Sequence, residues 1–184
     1  MKTTDGFTLL ELMIVILIIG IMAAIGVPSY QYVTNSNRVA SEVNSLLGDM
    51  QYARTEAIKE GLPVTVCVST DGARCAAGDT SWSDGWIVYA DSNGNHAVDT
   101  GEAVLRQQSG FSPDTFVADN NFTWATFNRQ GFAATGTTNV VTVTLHAPNN
   151  VSDWTRCLTV TPVGMLSVQR AGQLAAGGTT SNCT

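Results

Sequence analysis

From position 12 to position 27 the chain reads Leu-Met-Ile-Val-Ile-Leu-Ile-Ile-Gly-Ile-Met-Ala-Ala-Ile-Gly-Val, without one polar side chain. Only Thr8 and Glu11 interrupt the apolar stretch 7–27. As a helix rising ~1.5 Å per residue this stretch spans about 31 Å, close to the roughly 30 Å hydrocarbon core of a bilayer. It can cross a membrane once. No second run approaches this length, and the remainder is polar and rich in Gly and Thr. The pattern is that of one anchor carrying one water-exposed domain, and it excludes a polytopic membrane protein.

The 184 residues are 44% hydrophobic and 13% charged. Globular chains carry roughly 25% charged residues, so the low value reflects an uneven distribution, and the apolar content excludes a disordered chain. A formal net charge of −6 argues against a surface that attracts nucleic acid or anionic lipid through one strong positive field, while a local basic patch stays open.

A secretory signal peptide is the simplest reading of the apolar run, since Met22-Ala23-Ala24 offers small residues for a peptidase. Two features oppose it. The segment 1–6 balances Lys2 with Asp5, and Glu11 sits inside what would be the apolar core. A carboxylate in a membrane-crossing helix costs on the order of 3 kcal/mol and calls for a positive partner.

The segment Gly6-Phe7-Thr8-Leu9-Leu10-Glu11-Leu12-Met13-Ile14-Val15, with Pro28 further along, resembles the leader-peptidase site of type IV pilins and type II secretion pseudopilins. The resemblance implies removal of a leader, 1–6, by a prepilin peptidase that cuts between Gly6 and Phe7 and methylates the Phe7 amino group. Residues 7–27 are then retained as a transmembrane and filament-core helix. An ammonium group at Phe7 of one subunit can neutralise Glu11 of a neighbour, and a charge in a low-dielectric setting is tolerated best when paired. Cleavage removes one lysine and one aspartate, so the formal charge stays at −6.

Beyond Tyr30 the pattern becomes amphipathic. Val39, Val43, Leu46, Leu47, Met50, Ala53 and Ala57 recur at three- and four-residue spacing, and Gly61 and Pro63 supply a stop. The spacing predicts one helix over about 8–60, in which Pro28, with Gly20 and Gly26, introduces a kink or a loosening. Residues 28–184 form the head, made of an amphipathic helix half (28–60) and a β-rich part (63–184). Val64, Val66 and Val68 alternate with Thr65, Cys67 and Ser69, and Val141, Val143 and Leu145 alternate with Thr142, Thr144 and His146, which predicts strands. Further strands are predicted at 86–90, 103–107, 122–128, 156–161 and 165–170. The fold class is α+β, a long N-terminal helix packed on an antiparallel sheet.

Arg54-Thr55-Glu56-Ala57-Ile58, Asp84-Gly85-Trp86-Ile87-Val88-Tyr89-Ala90-Asp91 and Phe127-Asn128-Arg129-Gln130-Gly131-Phe132 are similar, in this order, to the GspH/FimT class of minor pilins and pseudopilins. The resemblance implies a pilin fold and no cofactor. Its implied partners are other minor pilins and the major pilin, the inner-membrane assembly platform and prepilin peptidase. The expected location is the inner membrane with the head in the periplasm, then a pilus at the cell surface.

The four cysteines, Cys67, Cys75, Cys157 and Cys183, allow three pairings. Cys67–Cys75, closing a short loop, and Cys157–Cys183, tying the tail to a strand, are favoured. Zinc is the rival, but the spacings are wide and only His96 and His146 are available to assist. Asp91, Asn93, Asn95, Asp99 and Glu102 occupy positions 1, 3, 5, 9 and 12 of an EF-type calcium loop, although His96 stands where the turn glycine belongs. The same composition makes an ordinary hairpin turn, the preferred reading. His96 is then a solvated loop residue and His146 a satisfied strand residue.

No G-x-S-x-G, Walker loop or H-E-x-x-H occurs, so an enzyme is not expected. DNA-receiving members of the resembled class carry Gly-Arg-x-Arg near the C-terminus, where this chain has Gly164-Met165-Leu166-Ser167. Arg156, Arg170 and Arg129 remain as a possible cationic surface. The expected role is a minor type IV pilin that primes assembly and sits at or near the pilus tip. The alternatives are a type II secretion minor pseudopilin and a DNA-binding minor pilin.

Overall fold

The computed structural model describes residues 8–111, 113–119, 121–148, 151–173 and 183. The chain divides into two units, Met1–Asn37 and Arg38–Thr184. One helix, α1 (Leu9–Glu60), contributes residues to both. Its start is set by Thr8, whose Oγ1 accepts a hydrogen bond from the Glu11 amide (3.2 Å) and whose carbonyl accepts one from the Leu12 amide (3.2 Å). Its end is set by Gly61, which adopts a left-handed conformation (φ 71°) and donates to the Ala57 carbonyl (3.0 Å). Pro28 lies inside the helix and removes one amide donor, and α1 continues through it.

In the first unit the side chains of the apolar run are exposed throughout, from Leu9 to Val27. In the second unit α1 buries a stripe: Val39, Glu42, Val43, Leu46, Asp49, Met50, Ala53 and Ala57. Two antiparallel sheets share this stripe. The first has the order β3 (Val104–Ser109), β2 (Gly85–Ala90), β1 (Val64–Val68), β5 (Trp124–Phe127), β6 (Ala133–Ala134). The second has the order β4 (Thr115–Ala118), β7 (Val141–His146), β8 (Arg156–Val160), β9 (Leu166–Arg170). A single bridge between Ser81 and Val117 adds a contact at the outer edge of β4.

Helix and both sheets contribute to one continuous core, in which Leu46, Met50, Val66, Trp86, Phe116, Phe127, Leu145 and Leu158 are fully or almost fully buried. Two aromatic groups fix the layers. Trp82 stacks on Phe122 at 5.1 Å and donates its indole N–H to the Phe122 carbonyl (2.9 Å). Trp86 packs against Phe111 and Phe116 and donates to Asp49 Oδ2 on α1 (2.9 Å). Arg106 on β3 donates to the other Asp49 oxygen (3.0 Å) while its guanidinium lies 3.8 Å from the centre of the Tyr52 ring.

The strands at 64–68 and 141–146 fall where the alternating valines place them, but β1 and β2 differ from a half-exposed pattern. Their second face is covered as well: Cys67, Ile87 and Tyr89 are buried beneath Cys75, Val98 and Trp124. The short strands β4 and β6 have no counterpart among the predicted strands, and the predicted 122–128 strand narrows to β5. Truncating Leu46 to Ala, at 0% exposure the centre of the stripe, is expected to cost about 2–5 kcal/mol, read as a lowered denaturation midpoint of the head with both disulfides intact.

Candidate assembly interface

Glu11 is exposed in the first turn of α1, on a helix segment whose surroundings are otherwise apolar side chains. The Thr8-x-x-Glu11 spacing is that of a capping box, in which the carboxylate at the third helical position returns toward the capping residue. In this structure the cap runs from Thr8: its Oγ1 accepts from the Glu11 amide (3.2 Å), and the Glu11 carboxylate stays exposed. Gly6 and Phe7 lie outside the described residues. Among the described residues one helix, α1, is long and apolar enough to cross a membrane, and its apolar stretch is exposed. A segment this apolar and this exposed requires either lipid or neighbouring helices around it.

On the buried face of the second unit sits a charged cluster. Arg38 forks onto Asp114 through Nε (2.7 Å to Oδ2) and Nη2 (2.8 Å to Oδ1), and Arg38 Nε lies 3.9 Å from Glu42 Oε1. Asp114 and Glu42 are both buried, and Glu42 Oε2 has no hydrogen-bond partner among the described residues. Burial first, and then the neighbouring Asp114, push the Glu42 carboxyl up from 4.5 to about 7, against the opposing pull of Arg38. Glu42 went unnoticed in the sequence although it falls three residues after Val39, on the buried face.

The carboxylates of the loop 91–102 are taken up by donors of the loop and of β1. Asp91 is fully buried. Its carboxylate accepts from the Asn95 amide (3.1 Å), the His96 amide (3.2 Å) and the Thr65 hydroxyl (2.8 Å). Asp99 Oδ2 accepts from the side-chain amides of Asn93 (2.8 Å) and Asn95 (2.7 Å), and Glu102 accepts from the amides of Ser92 (2.9 Å) and Asp99 (3.1 Å). His96 takes the left-handed conformation, φ 63°, where a calcium loop uses glycine. Among the described residues no three His, Cys, Asp or Glu side chains converge in a way suited to a metal ion. His96 is not the solvated residue expected of it. Its ring stacks on Trp124 at 3.6 Å and its Nδ1 lies 3.0 Å from Thr126 Oγ1, because β5 brings these residues under the loop. Beside that stack lies a cavity of about 450 Å³ bordered by Cys67, Cys75, Arg74 and Val98, with no carboxylate among the described residues lining it.

Cys67 and Cys75 are joined, as are Cys157 and Cys183. Within the first ring the Asp71 carboxylate accepts from the amides of Ala73 (2.8 Å) and Arg74 (2.9 Å), contacts that hold it below its ordinary pKa. The arginines do not gather into a cationic face. Arg156 is 8% exposed, and its Nη1 donates to the carbonyls of Asp153 (3.0 Å) and Thr155 (2.9 Å). Arg170 is its exposed cross-strand neighbour on β9, and Arg129 lies on the turn before β6. A guanidinium already engaged with buried backbone carbonyls is poorly placed to reach a phosphate. His146 lies 3.4 Å from the Thr155 hydroxyl through Nδ1.

Residues 42–164 match the family described as type II transport protein GspH, and residues 1–27 match the prokaryotic N-terminal methylation motif. The chain belongs to the GspH family. Its fold is that of a type IV minor pilin from Pseudomonas aeruginosa, FimU. One crystal form of FimU gives a TM-score of 0.55 at 20% identity, covering 76% of this chain and 92% of that chain, and a second gives 0.51 at 22%, covering 72% and 91%. The type IV major fimbrial protein FimA of Dichelobacter nodosus is 35% identical over 106 residues, which is 49% of this chain and 67% of FimA. A fimbrial protein of Pseudomonas aeruginosa is 48% identical over 61 residues, 33% of this chain. The match spans 39% of that relative's length. This GspH-family chain is therefore a pilin or pseudopilin, a structural subunit rather than an enzyme.

Two outcomes are expected of the GspH-family head. Since the folded state raises the Glu42 pKa, folding takes up a proton between pH 4.5 and about 7, and this contribution to stability is lost as pH rises through that window. Glu42→Gln should therefore stabilise the head at pH 8 relative to the parent and change it little at pH 4, in paired thermal denaturation curves. Because the carboxylates of the 91–102 loop are satisfied internally, millimolar calcium should leave the denaturation midpoint where chelator leaves it.

Proposed function

We propose that the chain is a minor type IV pilin that is cleaved between Gly6 and Phe7, methylated at Phe7, held in the inner membrane with its head in the periplasm, and built into a pilus at or near the tip. The observation that carries this reading is the exposed apolar half of α1 with a single carboxylate, Glu11, within the matched N-terminal methylation motif. Prepilin peptidase removes segment 1–6, and residues 7–27 serve as membrane anchor and later as filament core. Glu11 pairs with the Phe7 ammonium of a neighbouring subunit, and Pro28 loosens the helix at the boundary between anchor and head. The head, 28–184, supplies lateral contacts to other minor pilins and to the major pilin, and the inner-membrane platform drives insertion. Likeness to FimU in fold supports the placement among minor pilins.

A type II secretion minor pseudopilin is the second reading, favoured by the match to the type II transport protein GspH family. Two disulfides in one head lean toward a component exposed outside the cell.

Substitution at Glu11 tests the pairing. Glu11→Ala removes the side chain with its charge, whereas Glu11→Gln keeps the shape and removes only the charge, and both keep the backbone amide that donates to Thr8 Oγ1. Both should leave the head folded and strongly reduce recovery of the protein in sheared filaments. Normal recovery of Glu11→Gln would overturn the charge pairing.

A further inference from the structure

One stretch of the head surface is more apolar than its surroundings. Ile58, Phe132, Val163 and Met165 are 50–57% exposed. They become neighbours because the turn before β6 and the β8–β9 hairpin are pressed together beside the end of α1. The Ala133 amide donates to the Pro162 carbonyl (3.0 Å), and Arg54 Nε donates to the Gly131 carbonyl (3.0 Å). Gly164 has a φ of +77°, and a Cβ there would collide with the Gly131 carbonyl oxygen. A Cβ on Gly131 would lie 3.1 Å from Ile58 Cδ1. Helix and both sheets thus meet at this patch, which gives it a fixed shape.

Two arginines border it. Arg129 is exposed on the same turn and makes no ion pair among the described residues, while Arg54 stands at the edge. The chain carries −6 overall. An apolar centre with a cationic rim complements a partner surface whose apolar side chains are flanked by carboxylates.

We propose that this patch docks the head of a different pilin subunit through such an acidic-rimmed apolar surface, an inference that rests on the pilin reading above. A second copy is the poorer occupant: in an isologous contact each patch would face its own image, bringing Arg129 and Arg54 against their duplicates. Nucleic acid is poorer too, since phosphates ask for donors and the centre of the patch offers aliphatic and aromatic side chains.

The test places a photo-crosslinking amino acid at Met165 of the full-length chain, expressed together with its own filament genes, and identifies the adduct by mass spectrometry. The expected adduct joins Met165 to a different chain bearing an N-terminal methylation motif, at a peptide containing Asp or Glu. Arg129→Glu should lower its yield about tenfold, a little over 1 kcal/mol at an interface residue, and a compensating basic substitution in the partner should restore it. Phe132→Ser with Met165→Ser should reduce filament recovery, with disulfide formation and protease resistance at parental levels as the check on folding. Adducts only to lipid, nucleic acid or a second copy would overturn the proposal, as would no adduct while the parent chain is recovered in filaments. Absence of the parent chain from filaments overturns the pilin reading instead, and a persisting pilin adduct in membranes would then leave the docking patch standing.

Discussion

Burial of one stripe of α1 is the constraint from which the head follows. Residues of both sheets share one buried core with the side chains of Val39, Leu46, Met50, Ala53 and Ala57. The small residues Ala53 and Ala57 allow close approach near the end of the helix, while Met50 and Leu46 fill the space nearer the middle. Polar side chains on the same stripe set the register. Asp49 receives Trp86 from β2 and Arg106 from β3, so a slip of either strand would strand a buried carboxylate.

The two halves of α1 answer to different solvents. Its early apolar residues are exposed, whereas its later residues are sealed beneath strands. Composition averaged over the sequence conceals this division, and a charged fraction of 13% describes neither part well.

What could be read in advance was local. Thr8 and Gly61 mark the ends of α1 within a residue, and the alternating valines mark β1 and β7, because capping and two-residue periodicity act on neighbours in sequence. The cysteine pairs named from spacing are also the pairs the fold brings together. Features that depend on distant partners were hidden. β4 is four residues long and owes its place to pairing with β7 and to burial of Phe116. Arg156 reads as surface charge until pairing of β7, β8 and β9 encloses it. His96 lies in a polar loop, and nothing near it in sequence announces the Trp124 ring on which it stacks. Glu42 was legible in principle, since its helical spacing puts it among buried valines, but a carboxylate there looks like an interruption until Arg38 and Asp114 surround it.

The Cys157–Cys183 bond has a mechanical side. Its two ends are separated by 26 positions, so fully extended chain of roughly 90 Å is withheld from any tension that passes through the backbone. A pull transmitted through the head reaches β8 directly and bypasses the enclosed segment. A single backbone cut inside that segment likewise leaves the molecule in one covalent piece.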